Sequence, residues 1–346
     1  MKLANLKRRS KNIEEKIQEI ITEVSSKVNS FKTKEKKEHK TISTGSTLLD
    51  LTISGSRRQE GGIPGGIILE VAGPASSGKT AILASIAANA QSKGGQVMFL
   101  DPEARFDQEY AEIYGIKLDK EDYYQPDTVE KTFDMIYNWQ PKNEKVINVI
   151  TADSLAALST EIEMTDRDKM GMRRAKSFSE GLRKTARIIS KNNWLIACSN
   201  QLRDGLYGNI TPGGQAIKYY CSLRMNIRQI EKIKKEKMFH EKKISKILGI
   251  ESRCTITKST IDSPHRECNV SIIFGYGLDT IRDELNFYKT TLGETTFNCF
   301  DKNYQSIDKA ITYIEQNNLQ EKLKERTIDL WNEIEKLFIH SRKKYE

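Results

Sequence analysis

The sequence is short of cysteine, and its cysteines do not follow a metal-binding pattern. Five are spread over 346 residues, at Cys198, Cys221, Cys254, Cys268 and Cys299. Their number is odd and none forms a C-x-x-C pair, which argues for reduced thiols and against a zinc site. We therefore expect the thiol chemistry of a cytoplasmic protein.

Long apolar segments are also missing. No run approaches the roughly 20 apolar residues that a membrane-spanning helix needs. The N-terminal stretch MKLANLKRRSKNIEE has no apolar segment of the signal-peptide kind. These absences predict a cytoplasmic location and no membrane partner.

A hydrophobic fraction of 37% with 30% charged residues is typical of globular chains. The net charge of +9 favours a polyanionic partner without identifying one.

Residues 73–80, GPASSGKT, match the phosphate-binding pattern G-x-x-x-x-G-K-[ST] in the setting that such motifs require. An apolar, strand-like run at 67–71 precedes it, and residues 81–91 after it are rich in helix formers. The glycines let backbone N–H groups converge on a polyphosphate, Lys79 supplies charge for the β- and γ-phosphates, and the Thr80 hydroxyl can ligate Mg²⁺. The predicted nucleoside triphosphate site comprises Gly73, Pro74, Ala75, Ser76, Ser77, Gly78, Lys79 and Thr80.

Apolar strand-like runs alternate with helical stretches along the middle of the chain. The runs are residues 67–71, 96–100, 146–152 and 194–199. This alternation predicts an α/β fold with a mainly parallel sheet, covered on both faces, that binds ligands at the carboxyl ends of its strands. Asp153 follows the third run and is the predicted Mg²⁺ residue. Glu103 follows the second and is the predicted base that deprotonates water, which would make the reaction a hydrolysis.

Together these residues resemble the RecA family of recombinases. The likeness runs from about Thr41 to Gly277 and rests on TISTGSTLLD, the phosphate loop GPASSGKT, LDPEARFDQEY, YYQPDT, TADSLAAL and SNQLR. It implies a RecA-like P-loop ATPase core that uses ATP and Mg²⁺, with Glu103 and Lys79 as catalytic residues. It also implies that Gln201 senses the γ-phosphate and signals to DNA, and that Asp107 and Tyr110 hold the adenine.

The resemblance further implies two loops that bind DNA. Residues 163–171 resemble the first loop, and residues 202–214 resemble the second. The predicted DNA contacts are Met170, Arg173, Arg174, Arg183, Tyr207, Gly213 and Gly214. The structural alternatives are a solvated helix face for the arginines and packing within the loop for Tyr207.

Self-assembly is a third implication. Apolar residues between Ile13 and Val28 recur at helical spacing ahead of a charged tether, so this helix packs either on its own domain or on a neighbouring subunit. The family forms helical filaments, and the resemblance implies a homo-oligomer in which Lys258 reaches the neighbour's ATP site. A second lysine of that motif is replaced by Thr260. The predicted subunit contacts are Ile17, Ile20, Lys218, Tyr219 and Arg224.

These observations divide the chain into three parts. Residues 1–40 are the predicted helix and tether, 41–277 the ATPase and DNA-binding core, and 278–346 a small C-terminal α/β domain. The basic segment 231–246 is predicted to be a solvated helix, with a DNA-facing arm as the alternative.

The function implied by the resemblance is that of an ATP-dependent recombinase. Such a protein forms filaments on single-stranded DNA and pairs it with homologous double-stranded DNA. A ring helicase with the same core and an accessory DNA-binding paralogue are the alternatives. A small-molecule kinase is less favoured because nothing after the core resembles an acceptor lid.

Overall fold

The computed structural model describes residues 40–55, 61–106, 108–119, 122–160, 170–205, 208–210 and 214–339. The predicted N-terminal helix with Ile17 and Ile20 lies outside these residues, as do Asp107, Tyr207 and Gly213. Only the backbone is described for Tyr110, Met170, Arg173 and Gly214.

Helices and strands alternate through most of this part of the chain. The helices are α1 Thr47–Ser54, α2 Lys79–Ser92, α3 Gln108–Ile113, α4 Val129–Asn138, α5 Met170–Lys191, α6 Gly214–Tyr220, α7 Thr280–Leu292, α8 Ile307–Gln316 and α9 Gln320–Leu337. The strands are β1 Thr41–Ile42, β2 Ile63–Pro64, β3 Ile67–Gly73, β4 Val97–Leu100, β5 Tyr123–Tyr124, β6 Val149–Ala152, β7 Leu195–Gln201, β8 Arg203–Gly205, β9 Gly208–Ile210, β10 Leu223–Phe239, β11 Lys242–Ser259, β12 Glu267–Ile273, β13 Gly277–Leu278, β14 Phe297–Cys299 and β15 Lys302–Tyr304. No helix within the described ranges combines the length and the apolarity needed to cross a bilayer.

Among the described residues, nine strands form one sheet in the order β13-β12-β11-β10-β3-β7-β6-β4-β5. The strands from β10 to β5 in this order pair in parallel, and β11, β12 and β13 extend the sheet with antiparallel pairs. The predicted α/β fold with a mainly parallel sheet is confirmed. The four predicted strands correspond to β3, β4, β6 and β7.

Both faces of the parallel strands are buried, because successive side chains point to opposite sides. On one face, Leu69 and Phe99 pack in a cluster with the apolar residues of α2. On the other face, Ile68 and Leu100 pack in a cluster with the apolar residues of α4 and α5. With the faces covered, the carboxyl ends of the strands are the part of this sheet open to a ligand.

The basic segment 231–246 is a β-hairpin, and our prediction of a helix there was wrong. It is the outer part of β10 and β11, which turn at His240 and Glu241 with φ of 42° and 64°. Lysine and glutamate favour helices, but the pairing of β10 with β11 starts in the core and continues outward from Lys235↔Lys246 to Phe239↔Lys242. Tertiary pairing therefore overrides local propensity in this segment.

The chain after β13 has an apolar cluster of its own. Leu285 of α7, Ile314 of α8 and Leu323 of α9 pack together in it with β14. The guanidinium of Arg326 also lies over two aromatic rings, 4.0 Å from the ring centre of Tyr288 and 4.4 Å from that of Phe300. The predicted domain boundary at residue 278 stays a prediction.

Buried carboxyl groups lie where α7 packs against α1. Asp50 of α1 and the adjacent Asp283 and Glu284 of α7 are all buried. Burial raises the pKa of Asp50 to about 6 and that of Glu284 to about 7. Burial also raises the pKa of Asp283 well above its usual value. Each of these groups therefore takes up a proton at a higher pH in the folded protein than in the unfolded chain.

Protonation of Glu284 should therefore stabilise the fold. Its folded pKa of about 7 lies above the ordinary value of 4.5, so the ionised carboxyl costs stability fully at about pH 8, and the cost disappears only below about pH 4.5. We expect Glu284→Gln to raise the melting temperature at the higher pH and to change it much less at the lower pH. Thermal unfolding followed by circular dichroism measures this. The exposed Glu325 offers a control, Glu325→Gln, which should behave alike at both pH values; equal destabilisation by Glu284→Gln at both would contradict the prediction.

Candidate nucleotide-binding site

The phosphate loop connects β3 to α2 at the carboxyl end of the sheet. Gly78 has a φ of 96°, a conformation that residues with a Cβ rarely adopt, so glycine is favoured here. Two hydrogen bonds hold the loop in shape. Ser77 Oγ donates to the carbonyl of Pro74 at 2.9 Å, and Ser252 Oγ donates to the carbonyl of Ser77 at 2.9 Å.

A cavity of about 740 Å³ lies beside this loop. Segments that are distant in the sequence meet there, because β3, β4, β6 and β7 all end at the same edge of the sheet. The predicted site residues that line it are Ala75, Ser76, Lys79, Thr80, Glu103, Asp153 and Gln201. This is the convergence that parallel strands predict.

Lys79 is the first residue of α2 and points back over the loop. Its Nζ donates to the carbonyls of Gly73 and Pro74 at 3.0 and 2.7 Å. Partial burial lowers the pKa of Lys79, and the nearby carboxylates of Asp153 and Glu103 partly oppose that shift. The ammonium thus lies among oxygen atoms at the N-terminal end of a helix, where anions are favoured.

Thr80 and Asp153 form a pair of oxygen ligands in the cavity. Thr80 Oγ1 donates to Asp153 Oδ2 at 2.5 Å, and Ser199 of β7 donates to the other carboxylate oxygen. Burial raises the pKa of Asp153, and these two hydrogen bonds counteract it. Mg²⁺ prefers one or two protein oxygens beside phosphates and water. The donor set therefore fits Mg²⁺.

Glu103 is positioned by a turn that Asp101 organises. Asp101 is 1% exposed, and its carboxylate accepts hydrogen bonds from the N–H groups of Glu103, Arg105 and Phe106 at 3.2, 2.8 and 2.8 Å. It also accepts one from the Tyr123 hydroxyl at 2.7 Å. No role was predicted for Asp101 or Tyr123 from the sequence. The position of Asp101 directly after a strand could have indicated its role, since carboxylates commonly bind the N–H groups of a following turn.

The Glu103 carboxylate has a partner on each oxygen. Ser154 Oγ donates to Oε1 at 3.0 Å, and Nη1 of Arg105 lies 2.8 Å from Oε2. Ser154 follows Asp153 through a cis peptide bond. Sequence reasoning missed both partners. The Ser154 contact joins residues 51 positions apart, and the Arg105 contact depends on the folded turn that Asp101 holds.

Gln201 connects the cavity to the segment that follows β7. It is the last residue of β7 and pairs with Gly73, the first residue of the phosphate loop. The N–H of Leu202 donates to the carbonyl of Gly73 at 3.2 Å, and β8 starts at the next residue. A change at the phosphates therefore has a short covalent route to the second predicted DNA loop, which contains β8 and β9.

The predicted DNA contacts that the structure describes lie mainly on α5. Met170 is the first residue of that helix, and Arg173 lies in its first turn. Arg183 is exposed. Arg174 instead donates from Nη1 to the carbonyl of Leu158 at 3.2 Å, so it also holds α5 against the segment after β6. Gly214 starts α6. DNA binding by these residues stays a prediction.

The predicted subunit contacts that belong to the described residues, Lys218, Tyr219 and Arg224, lie on α6 and β10. Lys258 donates from Nζ to the carbonyls of Lys218 and Tyr219 at 2.8 and 3.0 Å, at the helix C-terminus where a cation is favoured. Tyr219 is 76% exposed. Arg224 forms an ion pair with the buried Glu70 of β3 within the chain. The roles of these residues between subunits, and of Lys258 at a neighbour's ATP site, stay predictions.

Comparisons with known proteins give matches over most of the chain. The RecA N-terminal domain family matches residues 11–279. The protein named Protein RecA of Phytoplasma mali (strain AT) is 35% identical over 295 residues, which cover 81% of this chain and 82% of that protein. Protein RecA of Thermus thermophilus is 35% identical over 255 residues, which cover 71% of this chain and 70% of that protein. Protein RecA of Ruminococcus albus is 33% identical over 252 residues, which cover 71% and 60%.

Substitution of Asp101 tests whether the turn positions Glu103. Asp101→Asn keeps the size of the side chain but removes the charge and one of the two acceptor oxygens that four donors share. We expect nucleotide affinity to stay within about twofold of wild type, because the phosphate loop is untouched, and turnover to fall at least about tenfold. Nucleotide titration and steady-state ATPase kinetics measure the two quantities. Tyr123→Phe removes one donor and should have the smaller effect; normal turnover by Asp101→Asn would show that the turn does not depend on this carboxylate.

Proposed function

This chain belongs to the RecA family, and from that premise we propose how its residues carry out ATP hydrolysis and bind DNA. As a RecA recombinase the protein is a DNA-dependent ATPase of DNA recombination and repair. The observation that carries the residue assignments is the convergence of Lys79, Thr80, Asp153 and Glu103 in one cavity. The ring helicase and the accessory paralogue are not favoured, because RecA relatives match most of the chain.

ATP binds with its phosphates on the loop between β3 and α2. Gly73 to Thr80 direct N–H groups at the phosphates, and Lys79 exchanges its carbonyl partners for the β- and γ-phosphates. Thr80 and Asp153 hold Mg²⁺, which neutralises phosphate charge when bound. Asp107 and Tyr110 contact the adenine, and Tyr110 lies in α3.

Glu103 activates the water that attacks the γ-phosphate. As the water oxygen bonds to the γ-phosphorus, the bond from that phosphorus to the β–γ bridging oxygen breaks, and its electron pair leaves with ADP. One proton of the water passes to Glu103. Ser154 holds Oε1 of Glu103 and so directs the carboxylate into the cavity.

DNA binding is coupled to this chemistry through Gln201. Single-stranded DNA binds along Met170, Arg173, Arg183 and the loop with Tyr207, Gly213 and Gly214, and Arg174 supports the same helix. Subunits assemble as a helical filament through the N-terminal helix, Tyr219 and Lys218, with Lys258 directed at the neighbouring ATP site. Nucleotide and DNA that both favour the same extended assembly are thereby coupled energetically.

Double-stranded DNA has a matching surface on the outer hairpin. Directly paired residues of an antiparallel ladder share a face, and so do residues two apart. The pairs Lys235↔Lys246, Lys237↔Ile244 and Phe239↔Lys242 therefore place four lysines on one face, of which Lys235 forms an ion pair with Asp308 of α8 at 2.7 Å. The other three, Lys237, Lys242 and Lys246, are the proposed duplex contacts. The other face has Lys234 and Lys243, and Lys243 is neutralised by Glu236 at 2.5 Å. A two-stranded ribbon of this kind fits the major groove of a DNA duplex.

The dependence of duplex affinity on salt concentration tests which face of the hairpin binds DNA. We expect the double variant Lys237→Ala with Lys242→Ala to weaken duplex binding and to flatten the slope of log K against log salt by nearly two units, about 0.9 per lost phosphate contact. The matched control is Lys234→Ala with Lys243→Ala, which removes the same charge from the opposite face and should change the slope less. Equal slopes for the two double variants would contradict binding by the lysine-rich face.

Glu103→Gln tests the proposed base. The amide keeps the size of the side chain but cannot accept the proton of the water. ATP affinity should remain close to wild type, while DNA-stimulated turnover falls by about a hundredfold or more. Joint-molecule formation between single-stranded DNA and a homologous duplex should persist with a slowly hydrolysed ATP analogue. Lys79→Ala is the comparison variant, since it should lose nucleotide binding as well. Wild-type turnover by Glu103→Gln would assign the base to another residue.

A further inference from the structure

Arg105 places a second cation in the nucleotide cavity, beside Lys79, and the mechanism above gives it no role. Its Nη1 atom lies 2.8 Å from Oε2 of Glu103. The Arg105 side chain is 82% exposed and that of Glu103 is 28% exposed. The guanidinium is therefore held at the mouth of the cavity by one carboxylate, with most of the side chain in solvent.

The two side chains meet because of the turn between them. Ala104 has a φ of 52°, in the left-handed region that residues with a Cβ seldom occupy. The N–H groups on either side of it, those of Glu103 and Arg105, both donate to the buried Asp101. Asp101 thus holds a strained turn that brings Arg105 back onto Glu103, and the pairing is built into the backbone.

The contact with Arg105 limits the access of water to Glu103. Each oxygen of this carboxylate already has a protein partner. Ser154 already donates to Oε1, and Arg105 lies against Oε2. Departure of Arg105 therefore opens Oε2 to the attacking water.

Bound ATP supplies the anion that can draw Arg105 away. The water that Glu103 activates attacks the γ-phosphate, so this phosphate lies next to the carboxylate that Arg105 contacts. Ion pairs between exposed side chains are weak in water, whereas a guanidinium binds phosphate oxygens through strong charge-assisted hydrogen bonds. Movement of Arg105 from Glu103 to the phosphate exchanges the weaker contact for the stronger one.

We propose that Arg105 is a γ-phosphate ligand that moves from Glu103 to bound ATP, frees the base and neutralises charge on the phosphoryl group during hydrolysis. This inference rests on the proposed role of Glu103. ADP has no γ-phosphate, so with ADP bound Arg105 remains on Glu103. The residue then distinguishes ATP from ADP within a single subunit, and it acts on the charge that develops in the transition state.

The ratio of ATP to ADP affinity tests the proposal without relying on activity. Binding of a slowly hydrolysed ATP analogue and of ADP, each with Mg²⁺ and without DNA, is measured for wild type, Arg105→Ala and Arg105→Lys. Arg105→Ala should lower the affinity for the ATP analogue by about tenfold or more, which is the effect of losing one charge-assisted contact. It should lower the affinity for ADP by less than about twofold. Arg105→Lys keeps the charge, so its affinity for the ATP analogue should lie between those of wild type and Arg105→Ala. An equal loss for both nucleotides, or no loss, would overturn the proposal.

Two further variants separate direct from indirect effects. Arg253 is also an arginine paired with a glutamate, 3.8 Å from Glu267, and it does not line the cavity, so Arg253→Ala should leave both affinities unchanged. In a Glu103→Gln background, Arg105→Ala should still weaken the ATP analogue, because the contact with the γ-phosphate is direct. A loss that disappears in that background would mean that Arg105 acts only through Glu103. The affinity ratio does not depend on Glu103 being the base, so normal turnover by Glu103→Gln would refute that role separately.

Discussion

The parallel pairing of β3 with β7 is the constraint on which the site depends. Its register runs from Ile67↔Leu195 to Gly73↔Gln201, so the first residue of the phosphate loop lies opposite the residue that leads toward β8. β6 pairs with the other side of β7 and brings Asp153 to the same edge, where Thr80 and Ser199 donate to its carboxylate. A slip by one residue would turn each of these side chains to the other face of the sheet.

A buried charge network makes that register costly to change. Glu70 of β3 is fully buried; it forms an ion pair with Arg224 of β10 and accepts a hydrogen bond from Asn200 Nδ2 of β7 at 2.9 Å. Removing one partner of a buried pair costs on the order of 3–5 kcal/mol, because the other charge is left uncompensated. The same three strands carry the phosphate loop, Gln201 and the basic hairpin. The network therefore keeps the nucleotide site aligned with the strand that supports the proposed duplex-binding face.

The sequence predicted the parts of this arrangement that depend on local patterns. The strand, loop and helix around Lys79 form a continuous motif, and Asp153 and Glu103 follow recognisable buried strands, so the rule for parallel sheets was enough to bring them together. The hairpin was mispredicted because its lysines and glutamates favour a helix and its pairing partner lies across a turn. Asp101, Ser154 and Arg105 were missed for another reason: their roles depend on contacts with Glu103 that only the folded turn creates.

Those missed contacts explain how Glu103, the proposed base, can be positioned and restrained by the same turn. Asp101 fixes the backbone, Ser154 fixes one carboxylate oxygen, and Arg105 covers the other. The first two partners are buried and the third is exposed, so Arg105 is the partner that can leave at little cost in packing. A base held mainly by buried contacts stays in place when that partner departs. Positioning and restraint are thus assigned to different residues, and only the restraint needs to respond to the nucleotide.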